Sequence, residues 1–220
     1  MSEKLATLIS YVFHPVWFPS GLLIFYLVCN PIAFGLSAPF EDLVLVFQTL
    51  ITCLILPLVS IVVMQKVGLI SSLHMDQRME RIGPYIAMLI FLLWYYLNIS
   101  QYGVAPIFRL YILGTLVSLS LLFMANLFLK VSVHATGIAG VWLNLVIAWK
   151  TFDYSVFPFR LGSDFFQLGL DFIVVITFLI LIIILLSRFY LRKHTIIELL
   201  GGLILGFFGQ VLAIRLIEII

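Results

Sequence analysis

Charge is what this chain has least of. Of its 220 residues only 10% are Asp, Glu, Lys or Arg, while 64% are hydrophobic. Soluble domains run at about 25% charged and about 45–50% apolar residues. So few charges cannot coat a water-facing surface, and a small soluble core cannot hide so much apolar side chain. The mean hydropathy of +1.23 agrees. Disorder, coiled coil, collagen-like fibre and nucleic-acid module are excluded at this step, the last because Lys+Arg exceed Asp+Glu by only 12 to 10. Cysteine is nearly absent too. Cys29 and Cys53 both lie inside apolar runs, so no disulfide framework is expected. No small-residue cleavage site follows the N-terminal run, which reads as a retained span.

What remains is long apolar runs. Crossing about 30 Å of hydrocarbon takes about 20 helical residues. Seven stretches qualify, at about 16–37, 43–65, 84–100, 108–129, 134–150, 166–186 and 196–214. They lack the two-residue alternation of barrel strands. The expected fold is all-α, a single polytopic bundle of six to seven spans. Trp17, Trp94, Tyr95, Tyr96, Tyr102 and Trp149 lie near span ends, where amphipathic rings favour the headgroup zone. The stretch 151–165, with Asp153, Pro158, Arg160 and Asp164, reads as an interfacial connection. Gly202 and Gly206 make a G-x-x-x-G spacing that suits close helix packing.

The polar residues collect in three places. Loop 66–84 carries Lys66, His74, Asp76, Arg78, Glu80, Arg81 and Pro84. The junction before span five carries Lys130, Ser132 and His134. The junction before span seven carries Ser187, Arg188, Arg192, Lys193, His194 and Glu198. Two crossings separate each place from the next, so all three fall on one side of the membrane. His194 and Glu198, four apart, share a helix face. A carboxylate beside an imidazole fixes its tautomer. Arg188 offers a planar donor fork suited to phosphate. Ser132 stands where a cap at an anion-gathering helix start belongs, and His134 follows as a proton donor to a leaving oxygen.

Ser187-Arg188-x5-His194-x3-Glu198 resembles the S-R-x5-H-x3-D signature of the type-2 phosphatidic acid phosphatase superfamily, lipid phosphatases that share their site with vanadium haloperoxidases. Ser132-Val133-His134 resembles that family's P-S-G-H element. Asp76-Gln-Arg78-Met-Glu-Arg81-Ile-Gly-Pro84 resembles its K-x6-R-P element, and the order along the chain is the family's. The resemblance covers about 66–206 and leaves an N-terminal hairpin, about 8–65, outside it. It implies a membrane lipid phosphatase acting on a lipid monophosphate or diphosphate without a cofactor. His194 matches the nucleophile that forms a phosphohistidine, Glu198 its orienting acid and His134 the acid to the leaving alcohol. Arg188, Ser132, Arg78 and Arg81 match the phosphate binders. The chain departs from the pattern at Glu198 for Asp, Val133 for Gly and Val131 for Pro, and the K-x6-R spacing back from Arg81 lands on His74.

Two other readings stand beside it: a member of the same fold that binds anionic lipid or partners without turnover, and a small transporter. A metal site of His134, His194 and Glu198 is a weaker one, since neither H-E-x-x-H nor a cysteine pair accompanies it. The expected location is a bacterial cytoplasmic (inner) membrane, with membrane lipids and a lipid phosphate as partners and no nucleic acid. Lys and Arg number eight on the motif side against four on the other, which points that side inward. Setting aside Arg78, Arg81 and Arg188 as phosphate binders leaves five against four, and the resemblance implies the opposite orientation.

Overall fold

The computed structural model describes residues 2–73, 75, 77–151, 156–161 and 164–217. Nine α-helices build an all-α bundle among them. They are α1 Glu3–Val12, α2 Phe18–Cys29, α3 Leu43–Leu50, α4 Leu56–Lys66, α5 Ile82–Ile99, α6 Pro106–Asn126, α7 Val133–Thr151, α8 Leu170–Tyr190 and α9 Ile196–Ile217. Six helical segments are long and apolar enough to cross a membrane: Glu3–Cys29, Leu43–Lys66, Arg78–Ile99, Pro106–Asn126, Leu170–Tyr190 and Ile196–Ile217. This is an integral membrane protein. The fifth expected span is α7, which is less apolar for a structural reason. It packs against α6, α8 and α9, and buries His134, Thr136 and Asn144 against protein.

Breaks in the helices follow proline. Pro15 interrupts the N-terminal run, and a 3-10 turn, Pro15–Trp17, separates α1 from α2. The His14 Nδ1 accepts from the Val16 N–H at 3.4 Å and so caps that turn. Pro57 lacks an amide N–H and crowds the carbonyl four residues earlier. The ladder between α3 and α4 widens there into a π-helical turn, Ile51–Ile55.

Three expectations change. The first apolar run does not begin at 16, because α1 precedes it and packs on α8. Tyr95 and Tyr96, near the end of α5, are not exposed rings. Both are buried, and the Tyr95 hydroxyl shares a hydrogen bond with Thr49. The connection after α7 is an antiparallel hairpin, β1 Val156–Leu161 and β2 Asp164–Gly169, so α8 starts at Leu170 and not at 166. Aromatic residues favour strands, and Phe157 stacks on Phe25 of α2 with ring centroids 5.8 Å apart.

Helix α9 is held by close backbone approach. A Cβ on Gly202 would lie 2.6 Å from the Ser132 carbonyl oxygen, and one on Gly206 would lie 2.8 Å from the Ala139 Cβ. The G-x-x-x-G spacing is therefore a packing device that seats α9 on α7. It brings the start of α9 beside the start of α7, where two of the polar clusters lie.

Candidate functional site

The α8–α9 turn carries the most ordered chemistry. Thr195 and Glu198 form a capping box: the Glu198 carboxylate accepts from the Thr195 N–H at 3.3 Å, and the Thr195 hydroxyl accepts from the Glu198 N–H at 3.3 Å. The same carboxylate oxygen lies 2.8 Å from His194 Nδ1. A carboxylate only accepts, so Nδ1 carries the proton and Nε2 keeps the lone pair of the neutral ring. His194 is buried. Its pKa is lowered from 6.5 to about 4, first by burial. The Glu198 hydrogen bond opposes that fall, and the Arg188 and Arg81 charges add to it. At neutral pH the ring is therefore an uncharged, oriented base.

The three clusters meet around one cavity of about 470 Å³. Arg188 in the last turn of α8, Lys193 and His194 in the following turn, Arg81 before α5 and His134 at the start of α7 all line it. Arg81 is buried and ties two clusters together. Its Nε donates to the Met75 carbonyl at 3.0 Å, and its Nη1 donates to the Val131 carbonyl at 3.4 Å. His134 is buried as well, with Nε2 3.1 Å from the Ser10 carbonyl oxygen of α1. A carbonyl only accepts, so Nε2 carries the proton and Nδ1 of the neutral ring is the basic nitrogen.

Three expected residues sit elsewhere. Ser132 is fully buried and caps α7, its hydroxyl accepting from the Ala135 N–H at 3.4 Å. Its own N–H donates to the Glu198 carbonyl at 3.2 Å, which joins the second cluster to the third. Ser132 does not line the cavity. Arg78 is exposed on the 3-10 turn Arg78–Arg81, where its carbonyl accepts from Asn126 Nδ2 at 2.7 Å. Glu198 lies behind His194, on an outer cleft shared with Lys130 and Arg192. His74 and Asp76 lie outside the described residues. Among the described residues, His134, His194 and Glu198 do not assemble into a three-ligand metal set.

One member was not expected. His14, in the N-terminal segment read as lying outside the site, lines the same cavity. Its ring stands edge-on to His134, with centroids 5.1 Å apart and planes at 86°. Its Nδ1 is engaged by the Val16 N–H, so its proton sits on Nε2. The available signal was His14-Pro15 itself, an imidazole and a helix break inside an apolar run, where an idle polar group is costly. No protein-family model matches the chain, and neither a curated protein nor a solved structure matches it.

Proposed function

We propose that the protein is a membrane-embedded lipid phosphatase that works through a phosphohistidine. The observation that carries this reading is the His194–Glu198 pair at 2.8 Å, on a cavity that Arg81, Arg188 and His134 share. In the first step the His194 Nε2 lone pair attacks phosphorus and the bond from phosphorus to the lipid alcohol oxygen breaks. Glu198 holds the Nδ1 proton and stabilises the positive charge that develops on the ring. Arg81 and Arg188 stabilise negative charge on the phosphoryl oxygens, the main demand of phosphoryl transfer. His134, protonated on Nδ1 in the presence of the anionic substrate, gives that proton to the leaving alcohol oxygen. The same Nδ1 then takes a proton from water as its oxygen attacks phosphorus, and the N–P bond breaks to free phosphate and His194.

The alternative is binding of an anionic lipid without turnover. It draws support from Arg81, two of whose N–H groups are spent on backbone carbonyls. Both readings are tested together. Purified protein is incubated with lipid mono- and diphosphates without added metal, and phosphate release and acid-labile phosphoenzyme are measured. The phosphatase reading expects both signals in the wild type and neither in His194→Ala. Phosphate release unaffected in His194→Ala overturns the mechanism. Binding with no release from any substrate leaves the alternative.

A further inference from the structure

The cavity does not end at its polar mouth. Along α5 and the turn before it the cavity is lined from Arg81 to Leu92, and on α6 from Leu122 to Tyr111. Eleven residues of helix rise about 16 Å, so the space runs from the charged cluster toward the middle of the spans. Its walls there are apolar, with Met88 and Leu119 among them. Its inner end is different. Gln210 of α9 is fully buried and lines the cavity. Its Nε2 donates to the Tyr111 carbonyl at 3.3 Å, while its buried Oε1 has no donor among the described residues. Glycines make room for this side chain: a Cβ on Gly114 would lie 2.5 Å from it and one on Gly140 3.4 Å.

We propose that this space takes the tail of a single-chain lipid phosphate, with Gln210 as the stop that limits chain length. The inference rests on the phosphate-binding reading of the mouth. The cationic mouth suits the phosphate and the apolar shaft suits one chain. An extended chain advances about 1.3 Å per methylene, so a shaft of about 16 Å takes about 12 carbons. The charged mouth takes the phosphate, and one chain of about 12 carbons spans the depth to Gln210. A longer chain meets the fully buried Gln210 side chain and must displace it.

The test measures binding, independently of hydrolysis. Wild-type protein in vesicles of zwitterionic lipid is titrated with alkyl monophosphates of 8, 12, 16 and 20 carbons, a diacyl phosphate and inorganic phosphate. Affinities are compared at equal mole fraction. The 12-carbon ligand should bind about tenfold more tightly than the 20-carbon and two-chain ligands, equivalent to about 1.4 kcal/mol. Gln210→Ala shortens the stop and opens the inner end, so it should relieve the penalty on 16 and 20 carbons. Gly140→Val narrows the inner end and should move the break to shorter chains. Equal binding of 12- and 20-carbon ligands overturns the proposal, as does two-chain binding as tight as one-chain. A break that neither variant moves overturns it too. A break without phosphate release at any length upholds the tail site and defeats the phosphatase reading. Inorganic phosphate binding without any gain from a chain defeats the tail site and leaves the phosphate-binding mouth standing.

Discussion

Glu198→Asp is the most informative single change, because it restores the residue of the resembling motif and should nonetheless harm the protein. The Glu198 Oε2 serves two donors, His194 Nδ1 at 2.8 Å and the Thr195 N–H at 3.3 Å. Aspartate is one methylene shorter, a retreat of about 1.5 Å along a carbon–carbon bond. Added to 2.8 Å, that places the carboxylate beyond 4 Å from Nδ1, outside hydrogen-bond range. The backbone cannot follow, since the Glu198 carbonyl accepts from the Ser132 N–H at 3.2 Å and Gly202 is packed against the Ser132 carbonyl. Weakening the capping box costs about 1 kcal/mol of stability. Losing the orientation of the nucleophile costs about 100-fold in turnover, the scale of a 1 Å misplacement. The assays are single-turnover phosphate release and 15N NMR of the His194 ring. Wild type should show the proton on Nδ1, and the variant a mixture of tautomers. An Asp variant with wild-type turnover and an unchanged tautomer would refute the claim that this carboxylate is held at fixed reach.

Other outcomes follow from the same geometry. His194 has its pKa lowered to about 4 in the folded protein, mainly by burial, against 6.5 unperturbed. The unfolded chain therefore binds more protons between these values. This contribution to stability, on the order of 3 kcal/mol, is complete above about pH 6.5 and is lost as pH falls through 4; unfolding midpoints of wild type and His194→Gln between pH 4 and 8 should converge toward the acid end. Arg188→Lys should lose about 100-fold in phosphate release, because a point charge cannot copy the planar fork, whereas Arg78→Ala, at an exposed position off the cavity, should stay within about 0.5 kcal/mol in stability and keep wild-type turnover. Equal losses in both would dissolve the distinction between cavity and surface arginines. Gly206→Leu should leave little folded protein by size-exclusion chromatography, since even a Cβ there meets the Ala139 Cβ at 2.8 Å; overpacking alone costs about 1–3 kcal/mol.

The bundle was legible in the sequence because lipid leaves little choice. A backbone buried in hydrocarbon must satisfy its own hydrogen bonds, so long apolar runs become helices. Pairs of boundaries then fix which loops share a side. Crossing parity puts loop 66–84 and the junctions at 130–134 and 187–198 on one face, and Arg81, His134, Arg188 and His194 line one cavity. Periodicity could not show the hairpin Val156–Gly169. Its strands are short and aromatic, and Phe166 and Leu168 read as the start of the next apolar run. Nor does composition separate Tyr95 from Trp94. One is buried against Thr49 and the other is half exposed, a difference set only by which face of α5 meets the π-helical turn.

The site was legible where charge had to be explained and obscure where backbone supplied the partner. Arg188, His194 and Glu198 announce themselves by side-chain spacing. The Ser10 carbonyl that fixes the His134 tautomer has no side-chain signature, and neither does the α1 helix that delivers it. His14 follows from this contact. An N-terminal helix laid across α8 puts its C-terminal turn over the start of α7. His14→Ala should therefore act through His134. Removing the ring 5.1 Å away opens that side of His134 to water and loosens the imidazole that must give and take one proton per cycle. The expected result is about tenfold slower dephosphorylation of the phosphoenzyme, with little change in its formation from a substrate carrying a good leaving group. His14→Phe, which keeps the edge-on ring contact, should recover most of the rate. If Phe is no better than Ala, packing is not the role of His14, and its Nε2 proton takes part directly.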